Sequence, residues 1–152
     1  MKFQLKSLSV FVAASAIIAT ACSGNKEHND SCTNTNDDIR GKWYLENIVL
    51  NDSMSVRPAE ETPDTPQYVI FDDSTYSIRT NCNSISGPYY VNGDSITLGD
   101  GPMTEMACDN MATEDALREI LPNIATICIE NDSTARLNSR NQGEYVVLRK
   151  EM

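Results

Sequence analysis

Residues 81–108, NCNSISGPYYVNGDSITLGDGPMTEMAC, restrict the fold more than any other stretch of the chain. A Cys-Asn pair leads into Ser-x-x-Gly, and the stretch ends in Thr-x-Met-x-Cys, so a cysteine stands near each boundary. Between them Asn92-Gly93 separates two strand-like runs, residues 87–91 and 95–98. Asn-Gly in that setting is the strongest short hairpin signal, because both central residues of a type I′ turn take positive φ. The region therefore reads as antiparallel strand, tight turn, strand.

Strand signals continue on both sides. Residues 42–48 follow Gly41 as a first strand, and residues 68–71 and 75–79 flank the turn Asp72-Asp73-Ser74 as a second hairpin. Between them, residues 51–66 carry Pro58, Pro63 and Pro66, which rule out a continuous ladder and read as loop. Further strands are expected at residues 126–130, 134–137 and 145–149. One helix interrupts the pattern. Leu117, Ile120, Leu121 and Ile124 fall at i, i+3, i+4 and i+7, with Thr113 as its cap, Glu114 and Asp115 at its positive end, and Pro122 limiting its length. A short helix with one apolar face must lie on the sheet. The expected class is α+β: a strongly curved, mainly antiparallel sheet or partly open β-barrel of about eight strands with one short helix packed on it.

The N-terminus reads as an export signal. Lys2 and Lys6 precede a mainly apolar run over residues 8–21, too short for a membrane-spanning helix of about 20 apolar residues. It ends in Ala19-Thr20-Ala21-Cys22, which resembles the lipobox of bacterial lipoproteins, although Ala19 stands where Leu is usual. The organisation expected is a signal peptide at 1–21, a lipidated Cys22 opening a polar tether over 22–38, and a globular domain at 39–152. Acyl chains on Cys22 would hold the protein to the cell envelope. Ser23, rather than Asp, resembles the outer-membrane sorting signal of Gram-negative lipoproteins. An ordinary export signal that leaves Cys22 as a free thiol is the alternative.

Charge and residue counts exclude several functions. Loss of residues 1–21 removes Lys2 and Lys6 and no acid, leaving ten basic against 22 acidic side chains and a net charge of −12. Nucleic acid is thus an unsuitable partner, since phosphate binding needs a basic surface. The single histidine, His28, lies in the tether, so no Ser-His-Asp or Cys-His set fits within the domain. Acid doublets at 37–38, 60–61 and 72–73 fall in tether, loop and turn, where carboxylates are simply solvated. Gly99-Asp100-Gly101-Pro102 lacks the lysine and following helix of a phosphate cradle. No enzyme activity and no cofactor or metal is expected. Cys32, Cys82, Cys108 and Cys128 in an exported chain point to structural disulfides, with three pairings open.

The domain resembles the META domain family, which includes a bacterial heat-shock protein. The motifs that carry the likeness are Gly41-Lys42-Trp43-Tyr44-Leu45, Cys82-Asn83-Ser84-Ile85-Ser86-Gly87-Pro88-Tyr89 and Thr104-Glu105-Met106-Ala107-Cys108, over residues 39–150. Asn81 stands where that family often has Gly, and Ser84 where Arg is common. The resemblance implies a loose link to stress tolerance, motility and secretion, and so an envelope interaction module with a protein partner. META domains also look like the cracked barrels of type III secretion pilotins. That likeness implies an alternative, a carrier of apolar ligands or lipid tails with a cleft lined by Trp43, Tyr68, Ile70, Ile78, Tyr89, Ile96 and Leu98. Trp43 reads first as a core anchor and second as a ligand-stacking ring. Asn83 can fix a sharp turn through its own backbone, and Gly87 lets the chain re-enter the sheet where a Cβ would clash. Cys82 and Cys108 are either bonded to each other or two buried thiols.

Overall fold

The computed structural model describes residues 39–51 and 54–150. The signal peptide, Cys22, the tether and Cys32 lie outside the described residues.

Alternation of apolar and polar side chains makes the strands, and twist makes them close. In chain order these are β1 (Gly41–Asn51), β2 (Met54–Val56), the single-turn helix α1 (Pro58–Glu61), β3 (Tyr68–Phe71), β4 (Thr75–Arg79), β5 (Ser84–Asn92), β6 (Ser95–Leu98), the helix α2 (Ala112–Ile120), β7 (Ile124–Asn131), β8 (Thr134–Ser139) and β9 (Tyr145–Lys150). Neighbours run β2-β1-β3-β4-β5-β6-β7-β8-β9, and β9 pairs back onto β1, from Trp43 opposite Lys150 to Val49 opposite Tyr145. All pairings are antiparallel, so eight strands form a closed barrel and β2 is an extra strand on β1. The curved sheet expected from the sequence is therefore closed, and closure leaves it few free edges.

A bulge between Leu45 and Asn47 keeps β1 in step with the interior. Trp43 and Leu45 point inward before it, and Ile48 and Leu50 after it, so the extra residue resets the alternation. The seam between β6 and β7 is the thinnest. It has one paired position, Ser95 opposite Thr126, flanked by a bond from the Ile127 N–H to the Asp94 carbonyl at 2.8 Å.

Leu117, Ile120 and Leu121 of the helical segment are buried with Leu45, Val69, Phe71, Ile78, Leu137, Val146 and Leu148 of the strands. The void left among these side chains is about 10 Å³. That is at most the space of one water, and only apolar side chains and Tyr76 border it, so the interior is a filled core.

Several local expectations change. Residues 51–66 are not all loop: β2 adds to β1, and Pro58 begins α1, where its missing N–H costs nothing. The loop after β5 is Gly93-Asp94, closed by Asn92 opposite Ser95, and only Gly93 has positive φ, at 63°. Asn92 thus remains in the strand, and glycine takes the first central position, as in a type II′ turn. Thr113 does not cap α2. It is buried inside the first turn, and Asn110 Oδ1 instead accepts the Ala112 N–H at 3.0 Å. The helix ends at Ile120, passes through a 3₁₀ turn holding Pro122, and Ile124 already belongs to β7.

Candidate functional site

The motif residues meet where the β4–β5 turn touches the long connection between β6 and α2. Thr80 shapes the turn: its Oγ1 accepts the N–H of Cys82 at 3.2 Å and of Asn83 at 2.8 Å. This presents the Asn83 side chain inward, 2 % exposed. Its Nδ2 donates to the Met106 carbonyl at 2.9 Å and to Glu114 Oε2 at 2.7 Å. Its Oδ1 accepts from Thr104 Oγ1 and from the Met106 N–H, both at 2.8 Å. Both donors and both lone-pair directions are used, so the amide is fully satisfied.

Glu114 is fully buried, and its other oxygen accepts from Arg118 Nη2, one helical turn on, at 3.0 Å. The sequence places Glu114 at the helix's positive end, but its partner Asn83 lies far away in the chain. Cys82 and Cys108 are joined, with Cα atoms 6.1 Å apart. The bonded alternative therefore holds over two free thiols. Cys128, on β7, is disulfide-bonded as well.

The irregular segment 99–111 is thus held towards its C-terminal end by a disulfide and three hydrogen bonds from the Asn83 side chain. Glycines hold the other end. A Cβ on Gly87 would stand 2.2 Å from the Gly99 carbonyl oxygen, and one on Gly101 would stand 2.0 Å from that of Ser86. The close approach expected of Gly87 is present, and its counterpart is the Gly99–Gly101 stretch. Tyr76 adds a bond from its hydroxyl to the Gly99 carbonyl at 3.1 Å.

Between this segment and the end of α2 lies a pocket of about 170 Å³, open to solvent on one side. Ile85, Leu98, Met103 and Leu121 supply its apolar wall, and the exposed Asp100 and Arg118 its charged one. The Tyr76 pKa is raised above its ordinary 10.0, first by burial and second by the Asp100 carboxylate. The folded protein therefore holds this proton more tightly than the unfolded chain does. Stability from this group is complete below about pH 10 and is lost as the pH rises through the raised value. Denaturant midpoints followed upward from neutral pH into the alkaline range should fall more steeply for the wild type than for Tyr76→Phe, which at neutral pH should lose only about 1 kcal/mol.

The seven residues expected to line an apolar cleft do not form one. Trp43 is a core anchor, 1 % exposed, with Nε1 donating to the Ile39 carbonyl at 2.6 Å. Ile78 and Ile96 are buried in the filled core. Tyr89 packs edge-on to Phe71 at 5.1 Å, and its hydroxyl donates to the Asp72 carbonyl. Tyr68 and Ile70 face outward, because Val69 and Phe71 take the inward positions of β3. Tyr68 lies instead beneath Lys42, whose Nζ is 4.5 Å from the ring centre. Of the seven, Leu98 alone borders the pocket. Tyr76, Ile85, Asp100, Met103, Arg118 and Leu121 were not selected from the sequence. The one signal for them is Gly99-x-Gly101, which marks a segment pressed against another backbone.

A family model described as META domain matches residues 37–152. Among solved structures, the chain is similar to an NMR structure of a protein from Burkholderia xenovorans, at 18 % identity and a TM-score of 0.60, over 73 % of this chain and 81 % of that one. It is also similar to the crystal structure of a DUF4847 family protein from Bacteroides vulgatus, at 11 % identity and a TM-score of 0.52, over 73 % and 92 % of the two chains. At these identities the likeness is one of fold. No curated protein matches the chain.

Proposed function

The chain belongs to the META domain family, and from that premise we propose that it is a non-enzymatic interaction module of the cell envelope, anchored to the outer membrane by acyl chains on Cys22 and facing either the periplasm or the cell surface. One observation carries this reading: the motif groups are spent on one another. Cys82 is bonded to Cys108, and all four bonds of Asn83 go to protein groups. A rigid clasp suits a surface that binds, whereas a reactive site needs groups left available to a substrate. The disulfide favours an oxidising compartment, in keeping with export.

The alternative carrier role keeps only the pocket beside α2. A lipid tail has no room inside a barrel whose void is about 10 Å³.

Globomycin treatment tests the anchor. Unprocessed precursor is expected to accumulate, and labelled palmitate is expected in the wild type and not in Cys22→Ser. Processing that continues under globomycin, with no palmitate in the protein, would remove the envelope placement.

A further inference from the structure

The pocket beside α2 lies where β6 runs past its last partner. β7 pairs with β6 only at Ser95, so Thr97 and Leu98 have no strand on that side, and Leu98 lines the pocket. A volume of about 170 Å³ is enough for one aliphatic side chain. The two charged groups of the wall differ. Arg118 is committed to Glu114 through Nε at 3.4 Å and Nη2 at 3.0 Å. Asp100 is exposed and makes no ion pair or side-chain hydrogen bond among the described residues. The unspent charge at the pocket is therefore negative, on a chain of net charge −10.

We propose that this pocket takes an aliphatic side chain from an extended segment of a partner protein, with a Lys or Arg beside it to meet Asp100. The bare edge of β6 receives the backbone of that segment, as in strand addition, and the pocket selects the side chain. The acidic surface attracts the basic residue before contact. The inference deepens the interaction role proposed above and rests on it in one respect, that the occupant is bound and released unchanged.

The test uses the mature protein in nanodiscs of zwitterionic lipid, which do not concentrate cationic peptides. Methyl NMR would follow titration with the capped peptides acetyl-Ser-Lys-Leu-Ser-amide and acetyl-Ser-Glu-Leu-Ser-amide. The lysine peptide should shift the methyl signals of Ile85, Leu98, Met103 and Leu121 and bind about fivefold tighter than the glutamate peptide, the scale of one exposed ion pair. Asp100→Asn, at an exposed position, should abolish that preference, and Met103→Trp should block both peptides by filling the space. Equal binding of the two peptides, shifts elsewhere on the barrel, or no shift with either would overturn the proposal. Recovery of intact peptide supports both the site and the interaction role. Cleaved peptide after binding leaves the site standing and defeats the non-enzymatic role.

Discussion

Asn83→Ala is expected to lower folding stability by about 3–5 kcal/mol. The change removes few atoms, so lost packing contributes little of this. Most of it comes from what the amide leaves behind. Glu114 is fully buried and loses one of its two hydrogen-bonded partners, with only Arg118 remaining. The Met106 N–H loses the oxygen it bonds at 2.8 Å, and the Met106 carbonyl and Thr104 hydroxyl lose theirs too. Leaving a buried charge half-paired costs far more than the net value of a hydrogen bond between neutral groups. Against a typical total of about 5–15 kcal/mol, the loss is large enough to bring a domain of this size near unfolding at 37 °C. Urea denaturation at pH 7 measures it. A double-variant cycle with Glu114→Ala isolates the mechanism: the pair should lose clearly less than the two single losses added together, because each substitution removes the other's penalty. Additive losses would mean that Asn83 acts through something other than Glu114.

The second large effect is expected from Cys82→Ala/Cys108→Ala, at about 3 kcal/mol. The bond closes a loop with a sequence separation of 26. Chain entropy in the unfolded state alone gives this magnitude, and Cys128's separate disulfide is left untouched by the paired substitution. The consequence reaches beyond global stability. Segment 99–111 contains no regular strand or helix before α2. Without the bond it relies on Asn83, Thr104, the glycine contacts and the single bridge of Met103 to Ile85, so the pocket wall made by Asp100 and Met103 should loosen before the barrel does. Stability extrapolated to water from urea unfolding, with a steeper slope expected as the unfolded chain loses its cross-link, would measure the first effect.

What the chain reveals before folding depends on whether the deciding partner is close in sequence. The hairpin of β3 and β4 is legible because a polar turn separates two apolar runs, and Gly87 is legible because the motif leaves no other purpose for it. The inward face of β3 is not legible. Tyr68-Val69-Ile70-Phe71 is apolar throughout, so no polar residue sets the phase, and only pairing with β1 and β4 turns Val69 and Phe71 inward. The turn after β5 misleads for a related reason. Asn92-Gly93 fits one register and Gly93-Asp94 another, and the β5–β6 pairing selects the second. Thr113 looks like a cap until the fold buries it and Asn110 takes over. Glu114 reads only as an acid at the helix's positive end until Asn83, 31 residues away, is brought against it. The pocket is the least legible of all, since its walls come from β4, β5, β6, the 99–111 segment and the end of α2.

Amide hydrogen exchange on the oxidised mature protein tests most directly whether the motif is a clasp. The N–H of Met106 is held by a side chain, Asn83 Oδ1, beyond the single bridge that pairs Met103 with Ile85. The account predicts that this amide is protected nearly as well as those of β8 and β9, and that it becomes fast in Cys82→Ala/Cys108→Ala while those strands stay slow. A Met106 amide that exchanges at an open-loop rate in the oxidised protein would contradict it.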